Sequence, residues 1–169
     1  EIGVNSKDGV GSVFWFKLPF SLLVRQQDDL KEDGGNKTKG DTFNRKRVLV
    51  AEDNPINQRI IDFQLKKLGF NVEIVMNGLE AVNSFCKNPF DLIILDIQMP
   101  VMDGYQAAKR IRELENSLTR HTPIIALTAN AMKGDRELYL SAGMDDYISK
   151  PFTYEVLQRT IENLIQENK

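Results

Sequence analysis

The chain has 169 residues, 41% hydrophobic and 27% charged, with a formal net charge of −2, which suffices for one hydrophobic core and hardly for two. The near-neutral balance excludes an electrostatic footprint for nucleic acid or an anionic membrane, and no apolar run approaches the roughly 20 residues that span a bilayer. A single cysteine, Cys86, excludes an intrachain disulfide and a cysteine metal cluster and fits a reduced, cytoplasmic setting.

The chain opens on Glu1 rather than Met, carries no signal peptide and reads as a piece of a longer protein. In "EIGVNSKDGVGSVFWFKLPF", residues 1–20, Gly9 and Gly11 mark a turn. After it Phe14, Phe16, Leu18 and Phe20 alternate with Val13, Trp15 and Lys17. This predicts one strand with an aromatic face and nothing nearby to complete its sheet. Residues 21–46 are polar and mixed in charge, centred on "DGGNKTKGD". That is the composition of a flexible linker, which random-coil scaling lets span about 25–30 Å.

From residue 47 to 169 the pattern is regular. "RVLVA" predicts a strand, and Asn54-Pro55 starts a helix in which Ile61, Leu65 and Leu68 keep helical spacing until Gly69. "NVEIV" is the second strand, followed by a helix over 78–87. "LIIL" and "YQAAKRIRELE" form the third strand–helix pair, and "PIIAL" and "MKGDRELYLS" the fourth, closed by Gly143. "DYIS" is a weaker fifth strand, and Leu157, Ile161, Leu164 and Ile165 share one face of the last helix. Such alternation implies an α/β fold, a parallel sheet with helices on both faces.

In such sheets functional residues gather at the carboxyl ends of the strands. Glu52 and Asp53 follow the first strand, Asp96 ends the third, Thr128 follows the fourth, and Lys150-Pro151 follows the fifth. A strand-end Asp alone is usually a cap, and Lys-Pro alone is usually surface. Together they place three carboxylates, a hydroxyl and an ammonium on one rim. Clustered acids need a cation, and hard oxygen ligands with room for water suit Mg²⁺, with Mn²⁺ as the alternative. The lysine, the hydroxyl and nearby backbone N–H groups would complete a site for a phosphoryl group.

"VLVAEDNPINQ", "LIILDIQMPVMDG", "PIIALTANA" and "YISKPF" resemble the receiver domains of two-component signalling. The resemblance implies a flavodoxin-like doubly wound five-stranded sheet of strand order 2-1-3-4-5. It makes Asp96 the phosphoacceptor, taking a phosphoryl group from a phosphohistidine. Glu52, Asp53, Asp96 and the Gln98 backbone carbonyl would hold Mg²⁺, and Thr128 and Lys150 would contact phosphoryl oxygens. Tyr147 matches the aromatic switch position, Gln98 and Asn130 the positions that set acyl-phosphate lifetime, and the Lys150–Pro151 bond is expected to be cis. Glu52 departs from the Asp of many members, a variation that hybrid-kinase receivers often carry. Implied partners are the phosphohistidine domain of its own or another kinase and a histidine-phosphotransfer protein, with no nucleic acid.

"DGVGSVFWFKLPF" resembles the closing strand of a histidine-kinase ATP-binding domain. Kinase remnant (1–20), linker (21–46) and receiver (47–169) in that order imply a hybrid sensor histidine kinase. Two other classes compete. A haloacid-dehalogenase-type hydrolase wants a second Asp where Gln98 stands, and its acidic pair after the lysine. An unphosphorylated binding module on the same fold would usually lose an acid, the Thr or the Lys. His121, the sole histidine, lacks the acidic residue after it that a phosphodonor has. Met99 and Met102 read as loop packing, Cys86 as a packed or half-exposed side chain, and "KRIRELE" as a solvated helix face with ion pairs.

Overall fold

In a computed structural model the chain divides into two compact units, Glu1–Gly35 and Asn36–Lys169. The structure describes residues 1–9, 11–17, 43, 46–115, 121–129 and 135–167.

In the first unit β1 (Ile2–Lys7) and β2 (Gly11–Phe16) pair as an antiparallel hairpin, with Ile2 opposite Phe16 and Lys7 opposite Gly11. The expected lone strand therefore has a partner. Gly3, Asn5 and Ser6 interrupt the apolar pattern of β1 and hide it in the sequence. Gly3 is where the Trp15 ring lies: a Cβ there would come within 2.4 Å of Trp15 Cζ2. Leu18 and Phe20, and most of the stretch read as linker, lie outside the described residues.

The second unit contains β3 (Arg47–Ala51), α1 (Pro55–Lys67), β4 (Asn71–Val75), α2 (Gly78–Lys87), β5 (Leu92–Asp96), α3 (Gly104–Glu115), β6 (Ile124–Thr128), α4 (Asp135–Ser141), β7 (Asp146–Ser149) and α5 (Tyr154–Glu167). The strands form one parallel sheet in the order β4-β3-β5-β6-β7. Within this unit that is the expected 2-1-3-4-5. Successive residues of a strand face opposite sides, so the core splits in two. Val48, Val50, Leu92, Ile94, Ile125 and Leu127 pack with Ile61 and Leu65 of α1 and Leu157 and Ile161 of α5. Leu49, Ile93, Leu95 and Ile124 pack with Ala81, Ala107, Ala108 and Ile111 of α2 and α3. Each fully buried Leu or Ile contributes roughly 1.5–3 kcal/mol.

Local chemistry fixes the helix ends nearest the rim. The Asn54 side chain caps α1 by accepting from Ile56 N at 2.9 Å, with Pro55 at the first helical position. Asn77 caps α2 through Glu80 N, and the Glu80 carboxylate returns to Met76 N, each at 2.9 Å. Phe43, inside the stretch expected to be linker, is instead buried and stacks on Phe70 with centroids 4.6 Å apart. The core of this unit thus recruits an aromatic side chain from upstream of residue 47.

Candidate functional site

Parallel pairing brings the strand ends together. Ala51 sits beside Leu95, Asp96 beside Leu127, and Thr128 beside Ser149. The residues after Ala51 and after Ser149 therefore flank Asp96 on one carboxyl edge. Lys150 N donates to Thr128 O at 2.7 Å, and the Lys150–Pro151 bond is cis, as expected.

The ammonium of Lys150 lies between two carboxylates, 2.6 Å from Glu52 Oε2 and 2.7 Å from Asp96 Oδ2. Glu52 is 1% exposed; its Oε1 accepts from Asn57 Nδ2 at 2.9 Å, and its carbonyl accepts from Gln58 Nε2 at 2.6 Å. Asp96 is 6% exposed, and its Oδ1 accepts from Gln98 N at 3.2 Å. One oxygen from each of Glu52, Asp53 and Asp96 lies within 4.8 Å of the others. Three carboxylates against one ammonium leave two negative charges, the complement of a divalent ion.

Electrostatics follow burial. Desolvation pushes the Asp96 carboxyl above its ordinary range, a rise that Lys150 opposes and the neighbouring Glu52 charge reinforces. For Lys150, desolvation works against the charge. Its hydrogen bonds to Asp96 and Glu52 outweigh it and hold the ammonium above its usual range.

The loop after β5 is built by close approach. A Cβ on Gly104 would fall 2.4 Å from the Asp96 carbonyl oxygen, and Gly104 N donates to Ile97 O at 3.1 Å. This explains the glycine of "MPVMDG": the loop folds back onto the backbone that carries Asp96. Val101 in the same loop adopts φ 69°, unusual for a β-branched residue. Met99 and Met102 pack against the core, as expected of loop residues.

Thr128 is buried, and its Oγ1 accepts a hydrogen bond from the Tyr139 hydroxyl at 3.0 Å. Tyr147 is half-buried, its ring 5.3 Å from that of Tyr139. Asn130 lies outside the described residues. Sequence reasoning missed Asn57 and Gln58, which brace Glu52; the signal was the amides of "NPINQ", one turn beyond the acidic pair. It also missed Tyr139. His121 Nε2 lies 2.6 Å from Asp145 Oδ1 at the opposite edge of the sheet. Cys86 is exposed.

Residues 48–162 match the family model of the response regulator receiver domain, and the chain belongs to that family. The whole chain is 38% identical to hybrid signal transduction histidine kinase K of Dictyostelium discoideum but spans 14% of its length. The receiver domain of sensor histidine kinase PA1611 from Pseudomonas aeruginosa PAO1, solved with magnesium in its active-site cleft, is 47% identical. It superposes with a TM-score of 0.65 over 72% of this chain and 98% of that one. A co-crystal structure of the Saccharomyces cerevisiae histidine phosphotransfer protein Ypd1 with the receiver domain of Ssk1 matches at 36% identity and TM-score 0.64. It covers 70% of this chain and 88% of that one.

Proposed function

We propose that this chain is the phosphoryl-accepting receiver of a hybrid sensor histidine kinase and that Asp96 is the acceptor. The observation that carries the proposal is a buried Asp96 set between a lysine ammonium and two further carboxylates at the carboxyl edge of the sheet. The donor set is all-oxygen with an excess of two negative charges, which fits Mg²⁺. Glu52, Asp53 and Asp96, with the Gln98 carbonyl, would hold it. When bound, Mg²⁺ supplies charge neutralisation for the oxygens of the transferring group.

Asp96 Oδ attacks the phosphorus of a phosphohistidine in line. The new P–O bond forms as the P–N bond breaks, and the electron pair leaves on the imidazole nitrogen. Lys150 carries positive charge to a phosphoryl oxygen while Glu52 keeps it oriented, and the Thr128 hydroxyl donates to another. Tyr147 follows Thr128 in a two-state shift. Gln98 and Asn130, at the two positions the family resemblance assigns to this role, set the lifetime of the acyl phosphate.

The donor docks on α1. Ile56, Ile60 and Phe63 recur at helical spacing and are 68%, 48% and 70% exposed. Beside them a pocket of about 310 Å³ is lined by Asn57, Ile60, Lys150 and Phe152. An apolar stripe next to the nucleophile suits a helical histidine-phosphotransfer domain. The hairpin of residues 1–17 fits the end of a kinase ATP-binding domain, a reading supported by the match of the whole chain to a hybrid kinase. Among the described residues no helix is long and apolar enough to cross a membrane, and we place this segment in the cytoplasm.

The test is incubation with Mg²⁺ and a small phosphodonor. Wild type should gain an acid-stable, base-labile phosphoryl group and Asp96→Asn should not; no label on wild type would refute the proposal.

A further inference from the structure

Thr128 is gripped from outside the acidic cluster. The Tyr139 hydroxyl donates to its Oγ1 at 3.0 Å, and the two residues are 3% and 5% exposed. Tyr139 belongs to α4. Its ring stacks on Tyr105 of α3, with centroids 5.8 Å apart and 12° between planes, and tilts against Tyr147 of β7 at 5.3 Å. One hydrogen bond therefore ties the last residue of β6 to three aromatic rings on three other elements.

A threonine hydroxyl has one donor and two acceptor positions. As a β-branched residue Thr128 has few rotamers, so a turn toward a phosphoryl oxygen is a discrete step rather than a drift. That step carries Oγ1 away from Tyr139 and breaks this buried hydrogen bond, which disfavours the turned state. Alternatively α4 follows the threonine, and the stacked rings must move with it. In both cases the hydroxyl opposes the step.

We infer that Tyr139 is a positioning residue for Thr128, a latch whose hydroxyl holds the unphosphorylated arrangement. The inference rests on Thr128 being a phosphoryl contact, as proposed above. Nothing in the local sequence announces it, because the two partners are eleven residues apart on different elements.

The experiment compares the 169-residue chain as wild type, Tyr139→Phe, Thr128→Ala and the double variant. Phe keeps the ring and removes the hydroxyl. The probe is beryllofluoride with Mg²⁺, titrated to half-saturation. Tyr139→Phe should bind about fivefold more tightly than wild type, the factor expected for one net hydrogen bond. In the Thr128→Ala background the same change should have no effect. Without metal, the γ-methyl resonance of Thr128 should report rotamer averaging in Tyr139→Phe and a single rotamer in wild type. Unchanged or weaker binding by Tyr139→Phe, or the same gain without the Thr128 hydroxyl, would overturn the latch. If wild type fails to bind beryllofluoride, the acceptor reading falls instead, and the metal-free methyl signal still decides the latch.

Discussion

Asp53→Asn should make the metal-free chain more stable and the Mg²⁺-saturated chain less so. Lys150 reaches Glu52 and Asp96, and Asp53 is not among its ion-pair partners. Among the described residues no cation pairs with Asp53, which contributes repulsion to the metal-free cluster. At the 4.8 Å that bounds the three oxygens, a like-charge pair costs about 3.5 kcal/mol at an effective dielectric of 20 and about 0.9 kcal/mol in water. Asp53 is half-buried, and its two pairs lie toward the solvent limit, for a net relief of about 1–2 kcal/mol. In a domain of this size that raises Tm by about 4–8 °C. With metal the sign reverses. Wild type at hundredfold excess over its Kd gains about 2.7 kcal/mol, more than the relief of about 1–2 kcal/mol, and the variant, short of one ligand, should gain far less at the same concentration. Thermal scans in EDTA and across a Mg²⁺ titration measure both arms. A variant less stable in EDTA, or one that keeps the full Mg²⁺ gain, would refute the assignment of Asp53 to the metal.

Ile60→Glu, on the exposed stripe of α1, should slow phosphoryl transfer from a histidine-phosphotransfer protein at least tenfold; equal slowing with a small phosphodonor would argue against docking there. Val101→Gly should raise stability by about 1 kcal/mol in denaturant titrations, because an exposed β-branched residue at positive φ is relieved and little burial is lost. Arg112→Met should cost about 3–5 kcal/mol in the same measurement, since it strips the partner from Glu115, which is 5% exposed. Burial holds Asp96 above its ordinary value of 3.8, so its contribution to folding is fully present at acid pH and is lost as pH rises through the folded pKa. Asp96→Asn in EDTA should therefore gain stability over wild type from about pH 4 toward neutrality; parallel profiles would show that the buried carboxylate carries no such penalty.

What the sequence revealed of this site follows from periodicity. Runs such as "LIIL" declare where a buried strand ends, and topology turns strand ends into neighbours, so Asp96, Lys150 and the acidic pair could be placed together without coordinates. What it hid depends on tertiary approach. Gly104 is required by the carbonyl of Asp96 lying where its Cβ would be. The charges of "KRIRELE" read as one solvated face, and Arg110–Glu113 is such an exposed pair. Arg112 is different. It donates to Gly143 O at 2.7 Å, Thr122 O at 2.9 Å and Asp145 at 2.8 Å, besides pairing with Glu115, and so clamps α3 to the start of β6 and to the turn after α4. Heptad arithmetic sees neither that turn nor β6. The β1 strand was missed because its polar and glycine residues carry no alternation, and its pairing with β2 supplies the structure that propensity does not.

The positions of the Asp96 oxygens constrain how the proposed reaction can start. Oδ1 accepts from Gln98 N at 3.2 Å and Oδ2 from Lys150 at 2.7 Å, so both are engaged. One contact must yield when phosphorus approaches. The longer bond comes from a backbone N–H fixed by the loop that Gly104 pins down, and releasing it would move that loop. The Lys150 ammonium has three donors on a flexible stem and a second anchor in Glu52 at 2.6 Å. It can turn one donor from Asp96 to a phosphoryl oxygen and remain paired throughout. Glu52 is therefore more than a metal ligand in this reading. Braced by Asn57 and Gln58, it keeps Lys150 charged and tethered while Asp96 exchanges an ammonium for a phosphorus atom. That role calls for a buried carboxylate with one oxygen free of the α1 amides, and Glu52 Oε2 is such an oxygen.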